Sequence, residues 1–294
     1  MLRLEIRRGS GMKLSIIIPA NNEEATIGDV VTGVRRELPD AEILVVDDGS
    51  TDQTGRLAEQ AGATVKAHPK SLGNGAAVKT GARAASGDIL VFLDGDGQHD
   101  PADIPRLLEQ LDQGYEMVVG ARSASSHANT ARLAANGAYN VIASMVTGQR
   151  VPDLTSGFRA VKADLFRKFL YLLPNGFSYP TTITMAFMRA GFSMEFLPIE
   201  AKKRKGKSHI RPIRDGIRFL LIIFKIATLY APLKLFLPTS LLFLTTGLGY
   251  YAYTYLSDGR FTNMSLLLFS AAVIVFLIGL VSEQITALNY KGSS

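Results

Sequence analysis

The sequence predicts an α/β domain with a mostly parallel sheet, followed by two membrane-spanning helices. From Leu14 onward, short apolar runs alternate with helical patterns, as in βαβ units. Near the C-terminus, two stretches without a charged residue reach the length of a membrane span. The 294 residues suffice for a full hydrophobic core, and the absence of cysteine excludes disulfides and thiolate metal sites.

The first two thirds of the chain contain the alternating pattern. The apolar runs are short and rich in β-branched residues, and each of the first three is followed by a helical pattern. We expect strands at 14–18, 42–46, 63–67 and 89–93, and helices at 26–37, 54–61 and 75–85. Ligands of such sheets bind beyond the carboxyl ends of the strands.

Three of these strands end in polar, acidic segments, at 19–24, 47–52 and 94–98. Any one of them is explained by helix capping or by a turn, because Asp, Asn and Ser favour both. Three such segments at one edge of a sheet repel each other unless a cation or a hydrogen-bond donor binds between them. The sequence alone leaves the turn and the binding site both open.

Asp94 and Asp96 are the best candidates for metal ligands. They flank Gly95, which lets a ligand come close, and their oxygens suit a hard divalent cation. Mg²⁺ or Mn²⁺ held by two carboxylates completes its shell with water and substrate phosphates, which predicts a diphosphate-bearing substrate. Neither a P-loop nor a GxGxxG dinucleotide fingerprint is present in the sequence.

The C-terminal third predicts a transmembrane hairpin. Residues 236–256 and 264–282 carry no charge, whereas a helix of a soluble core keeps a polar stripe. Only 257–263 separate the two stretches, so we expect a two-helix hairpin over 236–290. Buried helices of a soluble core are the alternative.

The positive charge is concentrated just before this hairpin. Eight Lys and Arg residues against Asp215 give residues 202–218 a net charge of +7, more than the +6 of the whole chain. No aromatic residue interleaves them, which favours an anionic membrane surface over nucleic acid. The positive-inside rule then places the N-terminal domain in the cytoplasm, at the cytoplasmic membrane.

Residues 210–235 combine cations at helical spacing with apolar residues, which predicts an amphipathic helix at the membrane interface. We expect Pro232 and Pro238 to break the chain before the first span. Residues 1–11 lack the apolar core of a signal peptide and are expected to form a disordered leader.

Four segments occur in a characteristic order: IPANNEE at 18–24, VVDDGSTD at 45–52, GNGAA at 73–77 and DGDGQH at 94–99. Together they resemble glycosyltransferase family 2 and, more narrowly, its polyprenyl-phosphate hexose transferases, the dolichol-phosphate mannose synthase-like group. The resemblance covers about residues 13–208. It implies a GT-A-like, Rossmann-type nucleotide-sugar-binding domain over 12–209.

The resemblance also implies roles for individual residues. Asp48 would contact the nucleoside base, and Asp94, Asp96 and Gln98 match the metal and diphosphate motif. The implied donor-binding set is Pro19, Asn22, Glu23, Val46, Asp48, Gly73, Asp94, Gly95 and Asp96. The family often has Tyr, which would stack on the donor, where Asn21 stands in this chain.

Other matches concern the acceptor and its phosphate. Arg122 lies in GAR at 120–122, which matches a Gly-Ser-Arg of the family, and DLTSGF at 153–158 matches a segment that borders the acceptor site. The resemblance implies catalytic roles for Asp94, Asp96, Gln98, Arg122 and Asp153, and acceptor or phosphate contacts for Arg122, Arg132, Ser156, Lys203, Arg204 and Ser208. Asp153 and Ser156 could equally shape a turn, and either Lys203 or Arg204 could replace the family's arginine.

The expected reaction is inverting transfer of a hexose from a UDP- or GDP-sugar to undecaprenyl or dolichyl phosphate. A phosphate monoester has its second pKa near about 6, so the attacking oxygen needs no general base at neutral pH. His99 is expected to be a helix-start residue rather than a proton carrier. A sugar hydroxyl as acceptor and a non-catalytic membrane adaptor remain as alternatives, and homo-oligomerisation is left open.

Overall fold

The computed structural model describes residues 12–122, 137, 140–141, 143–144, 147–176, 178–201, 224, 228 and 231–291. The chain divides into two compact units, one of Met1–Val141 with Arg150–His209 and one of Ile142–Gln149 with Ile210–Ser294. The predicted leader at 1–11 and most of the predicted interface helix at 210–235 lie outside the described residues.

The first unit contains the predicted alternation of strands and helices. Its strands are β1 Leu14–Ala20, β2 Glu42–Asp47, β3 Thr64–Ala67, β4 Ile89–Phe92, β5 Met117–Arg122, β6 Arg159–Lys162 and β7 Met194–Ile199. Its helices are α1 Ile27–Glu37, α2 Thr54–Gln60, α3 Asn74–Ala84, α4 Ile104–Asp112, α5 Ala163–Lys168 and α6 Tyr179–Arg189. The seven elements predicted from the sequence are confirmed, with boundaries that differ by one or two residues.

The seven strands form one sheet in the order β3-β2-β1-β4-β6-β5-β7. Its pairs are parallel except that β6 runs antiparallel to β4 and to β5. Because β6 is reversed, its first residue Arg159 lies opposite Phe92, the last residue of β4. The start of β6 therefore lies at the same edge as the carboxyl ends of the parallel strands.

The core lies on both faces of the sheet. Ile16, Ile17 and Ile18 of β1 are fully buried, as expected for a parallel strand covered on both sides. Helix α3 packs closely on β1 at Gly81, where a Cβ atom would lie 2.3 Å from Cγ2 of Ile17. This close approach fixes the start of α3 relative to the strand ends.

The second unit is dominated by two long apolar helices, α7 Pro232–Asp258 and α8 Asn263–Lys291. Both are long and apolar enough to cross a membrane, as the sequence predicts. The prediction that Pro238 breaks the chain before the first span is wrong, because Pro238 lies inside α7. Proline is tolerated inside such helices, where neighbouring groups satisfy the freed carbonyl.

Small and polar residues hold α7 and α8 together. The buried hydroxyl of Ser240 donates to the carbonyl of Ala272 at 2.8 Å, and a Cβ atom on Gly279 would lie 2.7 Å from Cβ of Phe236. One turn away from the Phe236–Gly279 contact, Glu283 accepts a hydrogen bond from the N–H of Leu233 at 3.3 Å. Close packing through small residues is typical of helix pairs in membranes.

Candidate active site

The carboxyl ends of β1, β2 and β4 are joined by hydrogen bonds. The N–H of Asp48 donates to the carbonyl of Ala20 at 2.8 Å, and the N–H of Gly95 donates to that of Pro19 at 3.4 Å. The side-chain amide of Asn21 donates to the carbonyl of Asp48 at 2.7 Å. The three acidic segments therefore meet at one edge of the sheet, as predicted.

The segment after β1 is held by its neighbour after β2. Asn22 has a left-handed backbone (φ 56°), and its side-chain oxygen accepts from the N–H of Thr51 at 2.9 Å. Asparagine tolerates this conformation better than most residues. Pro19 and Val46 are buried opposite each other in the sheet, so only their backbone lies near the edge.

The carboxylate of Asp48 is buried and accepts four hydrogen bonds. Its donors are Nδ1 of His68 at 2.7 Å, Oγ of Ser71 at 2.8 Å, and the N–H groups of Leu72 and Gly73, both at 2.8 Å. Burial by itself would raise the pKa of Asp48, but these hydrogen bonds outweigh it and hold the pKa below its usual range. A nucleoside base that contacts the Asp48 carboxylate would therefore compete with these four internal hydrogen-bond donors.

Asp94 and Asp96 follow β4 in a tight turn. One oxygen of Asp96 accepts from the N–H of Gln98 at 3.1 Å, and Gly97 has a φ of 70°. The side chain of Asp94 is 32% exposed. The turn and the accessible carboxylate thus coexist, and the two interpretations of this segment are compatible.

These two carboxylates fit a divalent cation that shares its shell with a substrate. Among the described residues, no group of three or more His, Cys, Asp or Glu side chains forms a complete cage. Mg²⁺ and Mn²⁺ sites of nucleotide-binding proteins use one or two carboxylates and leave the remaining positions to water and phosphate. Asp94 and Asp96 supply such a donor set.

His99 lies beneath Asp94. Its ring stacks on Phe158 with centroids 5.1 Å apart, and Nε2 is 3.8 Å from Oδ2 of Asp94. Burial, together with the charge of Arg122, lowers its pKa to about 4, so the ring is neutral at neutral pH. His99 directly precedes a helix start, as expected, because the carboxylate of Asp100 caps the turn that begins at Pro101 by accepting from the N–H of Ala102 at 3.1 Å.

Arg122, the last residue of β5, is fixed by the segment before β6. Its Nε and one terminal nitrogen donate to Asp153 at 2.8 and 3.1 Å, and the same terminal nitrogen donates to Thr155 at 2.7 Å. Burial opposes ionisation of Asp153, but the Arg122 guanidinium holds the pKa of this carboxyl below its usual range. Asp153 thus positions Arg122 in this structure, and the catalytic role that the resemblance implies for Asp153 stays a prediction.

The segment at 153–158 rests on a buried arginine that sequence reasoning missed. Arg159 is fully buried, donates to the carbonyl of Ser156 and to Oγ1 of Thr184, and lies 5.9 Å from the ring centre of Tyr179. Ser156 is also fully buried, and its hydroxyl donates to the carbonyl of Gly120 at 2.6 Å. A contact between Ser156 and an acceptor would therefore require this segment to move.

The other predicted site residues are placed as follows. Gln98 is half-buried beside Asp96, Gly73 has a φ of 103° at the start of α3, and Glu23 is half-buried before α1. The predicted phosphate-binding residues Arg132, Lys203, Arg204 and Ser208 lie outside the described residues. His68, which holds Asp48, was not predicted, because its sequence neighbours carry no motif.

Two family models match the chain. The model of glycosyl transferase family 2 matches residues 15–170, and the model of the GtrB C-terminal hairpin matches residues 231–288. The second match covers most of α7 and α8.

Curated relatives and solved structures agree with these matches. Glycosyltransferase AglJ of Haloferax volcanii is 31% identical over 93% of this chain and 94% of its own length. The dolichyl-phosphate hexose transferase of the same organism is 30% identical over 69% of this chain and 89% of its own. Among solved structures, glucosyl-3-phosphoglycerate synthase of Mycobacterium tuberculosis, crystallised with Mn²⁺, UDP and glucosyl-3-phosphoglycerate, is 25% identical in sequence. Its alignment covers 72% of this chain and 80% of the synthase chain, with a TM-score of 0.58.

The match to the family model extends over more than half of the chain, and the first relative aligns along nearly all of it. The sheet topology and the solved neighbour agree on a GT-A-like fold for the first unit. The chain therefore belongs to glycosyl transferase family 2 and is a glycosyltransferase.

Proposed function

We propose that this protein is a membrane-bound, inverting transferase that moves a hexose from a UDP- or GDP-sugar to undecaprenyl or dolichyl phosphate. The observation that carries the proposal is the pairing of two accessible carboxylates, Asp94 and Asp96, with the anchored cation of Arg122 at one sheet edge. The name of the dolichyl-phosphate hexose transferase and the match to the GtrB hairpin support a lipid phosphate as acceptor.

Asp94 and Asp96 would hold Mg²⁺ or Mn²⁺. When bound, such a cation neutralises charge on the departing nucleoside diphosphate. Support comes from the solved neighbour, which was crystallised with Mn²⁺ and UDP. Gln98, beside Asp96, would contact the diphosphate, and Arg122 would face phosphate with a guanidinium held in place by Asp153.

The acceptor phosphate attacks the anomeric carbon from the face opposite to the leaving group, which inverts that carbon. Its oxygen is already largely ionised at neutral pH, so the site needs orientation and positive charge rather than a proton acceptor. The structure is consistent with this requirement, because His99 is buried and Asp153 is bound to Arg122. Arg132, Lys203, Arg204 and Ser208 are proposed to bind phosphate from segments outside the described residues.

The proposed organisation has a catalytic domain at 12–209, an interface region at 210–235 and a transmembrane hairpin at 236–290. Residues 232–235 of this interface region belong to the first turn of α7, which begins at Pro232. The concentration of Lys and Arg before the hairpin supports a cytoplasmic catalytic domain anchored to the cytoplasmic membrane.

The test is transfer of radiolabel from nucleotide sugars into an organic-extractable product in the presence of polyprenyl phosphate and Mn²⁺. We expect label in the organic phase with one hexose donor, and release of the label by mild acid. Label that stays in the aqueous phase with every UDP- and GDP-hexose would refute the proposal. Label that appears on an added sugar or glycolipid hydroxyl would favour the alternative acceptor.

The metal ligands can be tested separately. Asp96→Ala should abolish transfer and remove high-affinity Mn²⁺ binding, measured by the electron paramagnetic resonance of free Mn²⁺. Asp112→Ala, at an exposed acid at the end of α4, is the matched control and should change neither. Unchanged transfer by Asp96→Ala in excess chelator would contradict the metal role.

A further inference from the structure

Gly95 separates the two proposed metal ligands, and both of its backbone groups are hydrogen-bonded. Its N–H donates to the carbonyl of Pro19 at 3.4 Å, and its carbonyl accepts from the hydroxyl of Thr26 at 2.7 Å. Glycine has more backbone freedom to lose than any other residue. The relative orientation of the two flanking carboxylates therefore depends on these two hydrogen bonds, and the bond from Thr26 is the shorter one.

Thr26 directly precedes α1 but does not cap that helix. A threonine at this position usually accepts a hydrogen bond from a backbone N–H two or three residues later. Within α1, all of which is described, no backbone N–H donates to the Thr26 hydroxyl. The hydroxyl instead donates to Gly95 and, at 3.3 Å, to the carbonyl of Glu23. A hydroxyl has one proton, so the shorter distance marks Gly95 as its main acceptor.

The turn after β4 also packs against the segment that joins β1 to α1. A Cβ atom on Gly95 would lie 3.2 Å from Cβ of Ala20 and 3.4 Å from Cδ1 of Ile27. A Cβ atom on Gly97 would lie 3.6 Å from Cγ2 of Thr26. Thr26 is half-buried, so its hydroxyl and its methyl group both face the turn from a position with limited access to water.

A divalent cation requires such a restraint. Mg²⁺ demands near-ideal octahedral geometry with oxygens at about 2.0–2.1 Å, which two flexible carboxylates do not supply. The side chain of Asp96 is already restrained, because one of its oxygens accepts from the N–H of Gln98. The hydrogen bond from Thr26 restrains the peptide backbone between Asp94 and Asp96.

We infer that Thr26 is a positioning residue for the metal, and that its hydroxyl holds Gly95 so that Asp94 and Asp96 bind one divalent cation together. This inference rests on the proposed function and deepens it. Without the hydroxyl, the Gly95 carbonyl loses its donor and the turn can adopt other orientations. The cation must then restore the binding orientation, which opposes its binding.

The variants Thr26→Ala and Thr26→Ser test the hydroxyl directly, because both lack the methyl group and they differ only in the hydroxyl. Thr26→Ala should bind Mn²⁺ about threefold to tenfold more weakly than Thr26→Ser, which is the effect of losing one hydrogen bond of ordinary net strength. Thr26→Ser should bind Mn²⁺ within about twofold of the wild type. The measurement is electron paramagnetic resonance of free Mn²⁺ with the full-length protein in detergent, in the presence of UDP and, separately, of GDP. Radiolabel transfer by Thr26→Ala should return to the wild-type rate at saturating Mn²⁺, because the residues proposed to bind the substrates are unchanged.

Ser15→Ala is the matched control for a general loss of stability. Ser15 lies near the amino end of β1, at the opposite edge of the sheet, where its hydroxyl accepts from the N–H of Gly87 at 2.8 Å and donates to Glu42. This variant should lower the melting temperature and leave the affinity for Mn²⁺ unchanged.

Equal Mn²⁺ affinities of Thr26→Ala and Thr26→Ser would overturn the inference, as would a loss of affinity in Ser15→Ala as large as that in Thr26→Ala. Transfer by Thr26→Ala that stays slow at saturating Mn²⁺ would also overturn it. These results leave the proposed function intact as long as the wild type binds Mn²⁺. If the wild type binds no Mn²⁺ with either nucleotide, the metal role in the proposed function fails and the inference falls with it, and this result needs no variant.

Discussion

The ion pair between Arg122 and Asp153 allows a quantitative prediction about the site's stability. The side chains are 23% and 7% exposed, and two hydrogen bonds of 2.8 and 3.1 Å join them. Asp153→Asn removes the negative partner and leaves a largely buried guanidinium. Removing one partner of a buried pair costs about 3–5 kcal/mol. Because Arg122 is partly exposed and Asp94 and Asp96 lie near it, we expect about 2–3 kcal/mol.

A loss of this size lowers the melting temperature of a domain of about 200 residues by about 5–10 °C. The assay is thermal unfolding of the full-length protein in detergent, followed by the near-ultraviolet circular dichroism of its tyrosines. Asp164→Asn, at an exposed acid of α5, is the matched control and should shift the midpoint by less than about 2 °C.

The pH dependence follows from the lowered pKa of Asp153. A carboxyl whose pKa is lower in the folded state stabilises the fold above its unfolded pKa of about 3.9, and this contribution is lost as the pH falls through the folded value. The difference in melting temperature between wild type and Asp153→Asn should therefore be constant between about pH 5 and 8 and shrink below about pH 4. A midpoint for Asp153→Asn within 2 °C of wild type at pH 7 would refute this reasoning.

Three further predictions concern close contacts. Gly157→Ala would place a Cβ atom 3.0 Å from Oδ2 of Asp94 and should weaken Mn²⁺ binding at least threefold by electron paramagnetic resonance, whereas Gly176→Ala, with open space around it, should not. Gly81→Ala should lower stability by about 1–3 kcal/mol through its clash with Ile17. Gly28→Ala, where a Cβ atom on α1 would meet open space, should instead raise the stability by up to about 1 kcal/mol. If the melting temperatures of Gly81→Ala and Gly28→Ala shift in the same direction, the argument from close packing at Gly81 is contradicted.

The sequence predicts the part of the fold where local pattern and tertiary environment agree. Strands β1, β2 and β4 are continuous apolar runs followed by polar and acidic residues, so the sequence predicts both the strand and the point where it ends. The later strand β6 has only four residues and begins with Arg159, a residue type that normally indicates an exposed position. Its burial depends on neutral acceptors supplied by α6 and by the preceding segment, which no local pattern reveals.

The candidate site divides in the same way. Asp94 and Asp96 are predictable because two carboxylates follow a buried strand directly. His68 and His99 are not, since each acquires its role from residues at least 20 positions away along the chain, Asp48 for one and Phe158 for the other. The error at Pro238 has a different cause, because proline ends helices in water but is accommodated within an apolar helix pair.

The reversed direction of β6 has a consequence for how such an enzyme can diversify. The residues proposed to bind the donor follow the ends of parallel strands, whereas the segment at 153–158 reaches the same edge just before β6 begins. A longer or different segment before β6 would leave the parallel strands and the segments that follow them unchanged. On the proposed function, new acceptors could therefore be acquired by remodelling the connection before β6 while the proposed donor-binding residues stay constant.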